Sequence, residues 1–469
     1  MMKMYSPLSV GVWARLGAAS ALLLAACAPG QDVPTPSTGI NASRYVAVGD
    51  SYTAGQSNGG LTHASQDYSF PNQLAQQFNR VNAGAAFTQP YLDGSGSGYL
   101  LLVDLPATGL PRVRRVAGQA VLPGGPIISP AACGGPDTLR LLARNATPGT
   151  LPQNLGLPGL QLTQIDVAGL GNAANATPGG TFNPYFERLL PAADNRTYLQ
   201  AVTTASATAT FFTYFRGIDT MLPYLRGGGD LSCLPSTALL NFNARKILGA
   251  LTTGGRQGMI ARLPGLPALT NLPLLRLGRG LGLISRLQAS FGDTARVYIE
   301  DPFNSGPAQV ITDDDYVLAT ALPRLGQRTP VVVNGTTLQL AYGRDIRNPV
   351  RNADVLDKTE LARLNLVVTN HNADLELAAT TYKMPIIVDN KRTLDSNAAF
   401  PNITGESILV NGVIYSGEPV RGNFYSLDYY SLTPRGNALL ANAFIVAINT
   451  AYRASIPAIE INKLPTSVQ

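Results

Sequence analysis

Histidine is almost absent from this chain: 469 residues hold two, His63 and His371. Cysteine is nearly as rare, with Cys27, Cys133 and Cys233. These few imidazoles and thiols show no zinc-site spacing, so no metal centre is expected, and nothing in the chain calls for a cofactor. Long apolar runs are missing too; no segment is long enough to cross a bilayer as a helix. Charged residues make up only 14% of the chain and the net charge is +6. The arginines are scattered, Arg112, Arg114 and Arg115 forming the tightest group. No basic run is interleaved with aromatics, which argues against nucleic acid as a partner. Internal repeats are absent, and the chain is expected to act as a monomer.

What is present is a core: 45% of the residues are hydrophobic, as in a globular protein. The first residues stand apart from it. Lys3 and Arg15 supply positive charge, and Leu16 to Ala26 is a short apolar stretch of the kind found in export signals. It ends in Leu24-Ala25-Ala26-Cys27, which resembles the bacterial lipobox. That resemblance implies a signal peptide over 1–26 and a lipidated first mature residue, Cys27. Residues 27–43, rich in Pro, Thr, Ser and Gly, would be a flexible tether holding the exported protein to a membrane of the cell envelope. The alternative is an ordinary secretory signal cleaved near Ala26, with Cys27 a free thiol. In an exported protein the remaining pair, Cys133 and Cys233, is either a disulfide or two separate buried thiols; the spacing fixes no geometry.

Beyond the tether, strand and helix signals alternate, which predicts an α/β domain with a parallel sheet over 44–455, followed by a C-terminal tail, 456–469. Tyr45-Val46-Ala47-Val48 and Thr208 to Phe215 read as strands, as do Met259 to Leu263 and Met384 to Val388. Helices are expected from Ser69 to Phe78, from Thr237 to Leu251, after a capping box of Asp357 and Glu360, and after Thr433-Pro434. Two stretches interrupt the pattern as insertions, near 84–152 and 264–353. The first is rich in Gly and Pro, with short apolar runs. The second reads as irregular, and Leu263 to Leu287 within it is either a lid for an acyl chain or ordinary packing. Asn154 to Gly159 reads as a tight, glycine-punctuated turn.

Gly49-Asp50-Ser51 follows the first strand, a place where a serine is exposed on a sharp turn beside backbone N–H groups, as a nucleophile requires. Gly49-Asp50-Ser51-Tyr52-Thr53-Ala54-Gly55 resembles the first sequence block of SGNH hydrolases, the GDSL esterase/lipase family. Asn154 to Gly159 resembles the second block, Phe211-Phe212-Thr213 leading to Gly217 the approach to the third, and Ser426 to Asn442 the fifth block and the helix after it. The blocks run in order from about Arg44 to Tyr452. The resemblance implies a three-layer α/β/α sandwich with a central parallel sheet. It also implies hydrolysis of carboxylic esters of a small or acylated ligand, with Ser51 as nucleophile, Gly159 as an oxyanion donor and Asp428 as the triad acid.

Two positions depart from that pattern. The third block should carry an oxyanion-hole asparagine, and here reads Gly217-Ile218-Asp219-Thr220, placing Asp219 there or, one residue out, Ile218. The fifth block should read Asp-x-x-His, and here reads Asp428-Tyr429-Tyr430-Ser431. Ser431 cannot serve as a base. His63, in the loop after Ser51, is a candidate substitute; His371 falls on the apolar stripe of its helix and reads as a packed residue. Asp313-Asp314-Asp315 reads as a solvated turn or helix start rather than a cation site. The expectation is therefore a ligand-binding envelope lipoprotein with impaired or lost hydrolysis; the alternative is an active serine esterase with rearranged helpers.

Overall fold

The computed structural model describes residues 39–81, 86–105, 111–124, 140–145, 147–177, 181–265, 274–276, 296–301, 306–312, 315–318, 321, 324–387, 407–417 and 420–468. Cys27, Cys133, Asp313, Asp314 and most of 264–287 lie outside them. The centre is a sheet of five strands: β1 (Tyr45–Gly49), β2 (Asn154–Gly156), β3 (Phe211–Phe215), β4 (Gln257–Ala261) and β5 (Ile386–Ile387), in the order β5-β4-β3-β1-β2. Every pairing is parallel. β1 and β3 are buried along their whole length, as parallel strands covered on both faces should be.

Helices flank the sheet: α1 (Ser51–Ala54), α2 (Phe70–Val81), α3 (Tyr198–Ser206), α4 (Ile218–Arg226), α5 (Thr237–Thr252), α6 (Lys358–Tyr382) and α7 (Pro434–Tyr452). The alternation of β3 sorts its side chains. Phe211 meets Phe78 of α2, and Phe215 meets Phe70 of α2 and Phe444 of α7. Arg216, one residue past the strand end and on the opposite parity, lies over the Tyr198 ring of α3. The helix starts follow from their capping side chains. Asp357 accepts from the N–H groups of Thr359 and Glu360 at the head of α6, and Thr433 accepts from Gly436 at the head of α7.

Three local expectations change. Asn154 to Gly156 is a strand, β2, and the turn begins only after it. The 264–353 stretch is more regular than its composition suggests. It carries a hairpin, Arg328–Val333 with Thr336–Ala341, and the strand Tyr316–Leu318 between Leu274–Arg276 and Val355–Leu356. It also has its own apolar cluster, including Val297, Ile299, Val317 and Val350. Asp315 is buried and accepts from the Thr312 N–H and hydroxyl, closing its own turn. Among the described residues no helix is long and apolar enough to cross a membrane, and no group of three or more His, Cys, Asp or Glu could hold a metal ion.

The strand order places the site. Chain connections leave β1 toward β2 on one side and later return to β3 on the other, so the carboxyl ends of β1 and β3 flank a reversal of strand order. Crevices for ligands form at such reversals. Gly49 pairs with both Phe215 and Gly156, so β1, β2 and β3 end level there.

Candidate functional site

Two turns face each other at that edge. The chain leaves β1 through Asp50 and opens α1 with Ser51; it leaves β3 through Arg216 and Gly217 and opens α4 with Ile218 and Asp219. The approach is close enough to demand glycine: a Cβ on Gly49 would collide with the Phe215 carbonyl and the Thr53 side chain. Gly217 holds φ at 128°, a backbone open to glycine alone. The Asp50 carboxylate ties the turns together, its Oδ2 accepting from the N–H groups of Gly217 at 2.9 Å and Asp219 at 3.2 Å.

Asp219 reaches back the other way. Its Oδ2 accepts from the Ser51 N–H at 3.1 Å, from the Gly159 N–H at 2.7 Å and from the Ser51 hydroxyl. Gly159 stands in the turn after β2 with φ at 72°. Three donors from two chain segments thus converge on one oxygen, and both Ser51 and Asp219 are buried. Ile218, the other register for the third block, is buried as well and lies in the core.

The charges beneath are unusual. Arg216 is buried and donates to the carbonyls of Gly49 at 2.6 Å and Leu160 at 2.8 Å, its guanidinium stacked on Tyr198. Burial raises the Asp50 carboxyl above the usual range, partly countered by Arg216. Burial, and then the neighbouring Asp50, push Asp219 up to about 7. Among the described residues, the Oδ1 atoms of Asp50 and Asp219 have no hydrogen-bond partner. Two carboxyls beside one guanidinium are neutral as a group when they hold one proton.

Tyr430, not singled out by the sequence, completes the surroundings. Its hydroxyl accepts from Gln56 Nε2 at 2.6 Å and lies near the Ser51 hydroxyl. The Arg226 guanidinium lies over its ring. Burial and the nearby Asp219 raise its pKa, so the phenol stays protonated. The one available signal was its place directly before the position where the fifth block carries histidine.

Asp428 and Ser431 form a unit of their own. The Ser431 hydroxyl donates to Asp428 Oδ2 at 2.6 Å, and the same oxygen accepts from the Gly59 N–H at 2.8 Å. Asp428 Oδ1 accepts from the N–H groups of Ser431 and Tyr430 and from the Ser426 hydroxyl. Asp428 therefore caps its own turn, with Tyr429 left-handed at φ 66° inside it. His63 is exposed, 3.3 Å from Asp67 and stacked on Tyr91. His371 is fully buried, its Nδ1 2.8 Å from Asn241 Oδ1, and burial lowers its pKa to about 4. Cys233 is buried at the end of a short turn, Leu231–Cys233.

The chain matches no family model, no curated protein and no solved structure. Two N–H donors and a serine hydroxyl facing one point make a cradle for a negative oxygen. Asp219 Oδ2 sits at that point. Among the described residues it is also the one carboxylate bonded to the Ser51 hydroxyl, hence the nearest candidate to take its proton. As a base it would have to stay where a substrate oxygen must go, so in this arrangement the two tasks exclude each other.

Proposed function

We propose that this chain is an SGNH-type envelope lipoprotein, anchored through Cys27, with the three-layer α/β/α sandwich of that family and a site that binds a small or acylated ligand without hydrolysing it efficiently. The observation that carries this reading is the Asp219 carboxylate in the cradle of Ser51 and Gly159. The strand order and the position of Ser51 after β1 support the family reading, and the absent imidazole supports the loss of activity. Losing a serine triad's general base costs on the order of 10⁶ in kcat, and losing one oxyanion donor about 10²–10³. Asp428, the carboxylate that would orient an imidazole, is occupied by its own turn.

A fluorophosphonate probe on the purified full-length protein tests this. The expected result is no labelling above that of Ser51→Ala. Robust labelling of the wild type that disappears in Ser51→Ala would establish the alternative, an active serine esterase in which the Ser51–Asp219 hydrogen bond serves as the activating contact.

A further inference from the structure

We propose that the cradle formed by Ser51 and Gly159 takes the carboxylate of an organic acid, bound together with one proton that Asp219 holds. This deepens the reading above, since it requires a site that binds rather than turns over its ligand. Three observations carry it. First, the cradle already binds a carboxylate oxygen, its own, through two N–H groups and a hydroxyl. That donor set matches a carboxylate better than a neutral carbonyl.

Second, Asp219 keeps a buried oxygen, Oδ1, that has no partner among the described residues, and so does Asp50 beside it. An unpartnered buried carboxylate oxygen is costly. A proton on Asp219 with a ligand oxygen to receive it removes that cost at one of the two. Third, the charge count leaves room for one uncompensated anion, and with Asp219 ionised the site already holds it. Asp50 from the end of β1 and Tyr430 from the 426–431 turn face Asp219 directly; Arg216 from the end of β3, stacked on Tyr198 of α3, acts on Asp50, and Arg226 of α4 and Asp428 act on Tyr430. Arg216 is the one buried cation among them, and Asp50 already offsets it. An incoming carboxylate must therefore arrive with a proton, or find one on Asp219. The neutral Asp219 side chain then leaves the cradle and donates to the ligand oxygen that replaces it. Two carboxyls held close, sharing one proton, are an established arrangement. The position of Asp219 near neutrality supports the same proton count.

Calorimetric titration of the full-length protein with octanoate, in two buffers of different ionisation enthalpy, tests this. Octanoate should bind at pH 6. At pH 8 binding should take up about one proton, and affinity should fall about tenfold per pH unit above the Asp219 pKa. Asp219→Asn, whose amide imitates the neutral acid, should bind octanoate with no proton uptake and little pH dependence. Failure of octanoate to bind at pH 6, or binding by the wild type without proton uptake at pH 8, would overturn the proposal. Either result leaves a protein inert to fluorophosphonate still inert, so the carboxylate site can fail while the non-hydrolytic reading stands. Labelling of Ser51 sinks that reading instead.

Discussion

Asp219 makes the same oxygen serve three donors while the other is stranded, and this has a consequence for stability. A carboxyl whose folded pKa is raised to about 7, against about 3.9 unfolded, contributes in full below pH 4. That contribution drains away as pH rises toward 7, because the unfolded chain releases the proton first. The asparagine variant has no such proton. Its stability relative to wild type should rise by on the order of 2–4 kcal/mol between pH 4 and 8. Urea unfolding of the two proteins across that range checks this, and a constant gap would mean that Asp219 ionises normally. Glu360, also pushed up to about 7 by burial, is common to both proteins and cancels in the comparison. Gly159 offers a contrasting case. A Cβ there meets nothing within 4 Å, so Gly159→Ala should cost only the left-handed backbone, about 1–2 kcal/mol by the same measurement.

At the scale of elements, helix starts were legible and short strands were not. The capping box at Asp357 and Glu360 announces α6, and the structure closes it in both directions. Asp357 accepts from the Thr359 and Glu360 N–H groups, while Glu360 accepts from the Asp357 N–H. Asp357→Ala should cost about 1–2 kcal/mol in thermal or urea unfolding; a loss below a few tenths would mean the first turn of α6 is held by packing alone. β2 was missed because three residues carry no period, and its strand character comes from β1 beside it. The candidate site divides the same way. Ser51 and Gly159 sit on glycine-marked turns that local sequence reveals. Asp50, Arg216 and Tyr430 matter through side chains that meet across distant segments, and no local pattern encodes such a meeting. Asp219 was visible as a departure at one position, but the sequence could not show that its carboxylate fills the place a substrate oxygen would take.

At the scale of the molecule, the 456–468 segment returns along α7 and bears on the site. Ile456 and Ile459 exchange paired hydrogen bonds with the side chains of Asn449 and Asn442 on α7, and Arg435 donates to the Leu464 carbonyl. Ile456, Ile461 and Val468 are buried by this return. At its far end the Val468 carbonyl accepts from Asn58 Nδ2 at 2.8 Å, while Asn58 Oδ1 accepts from the Leu427 N–H and its own N–H donates to Ser426. Asn58 therefore joins the 456–468 segment to the turn that carries Asp428 and sets Tyr430 beside Ser51. Removing residues 456–469 exposes apolar side chains worth about 1.5–3 kcal/mol each. Asn58→Ala alone should cost about 1–3 kcal/mol, from its lost partners and its left-handed backbone. If the Val468 contact is a working tie, the two changes will not add. Asn58→Ala should cost about 1 kcal/mol less in the shortened protein than in the full chain, because its partner there is already gone. Urea unfolding of all four proteins gives that coupling directly, and strict additivity would show that the C-terminal segment packs on α7 without bracing the site.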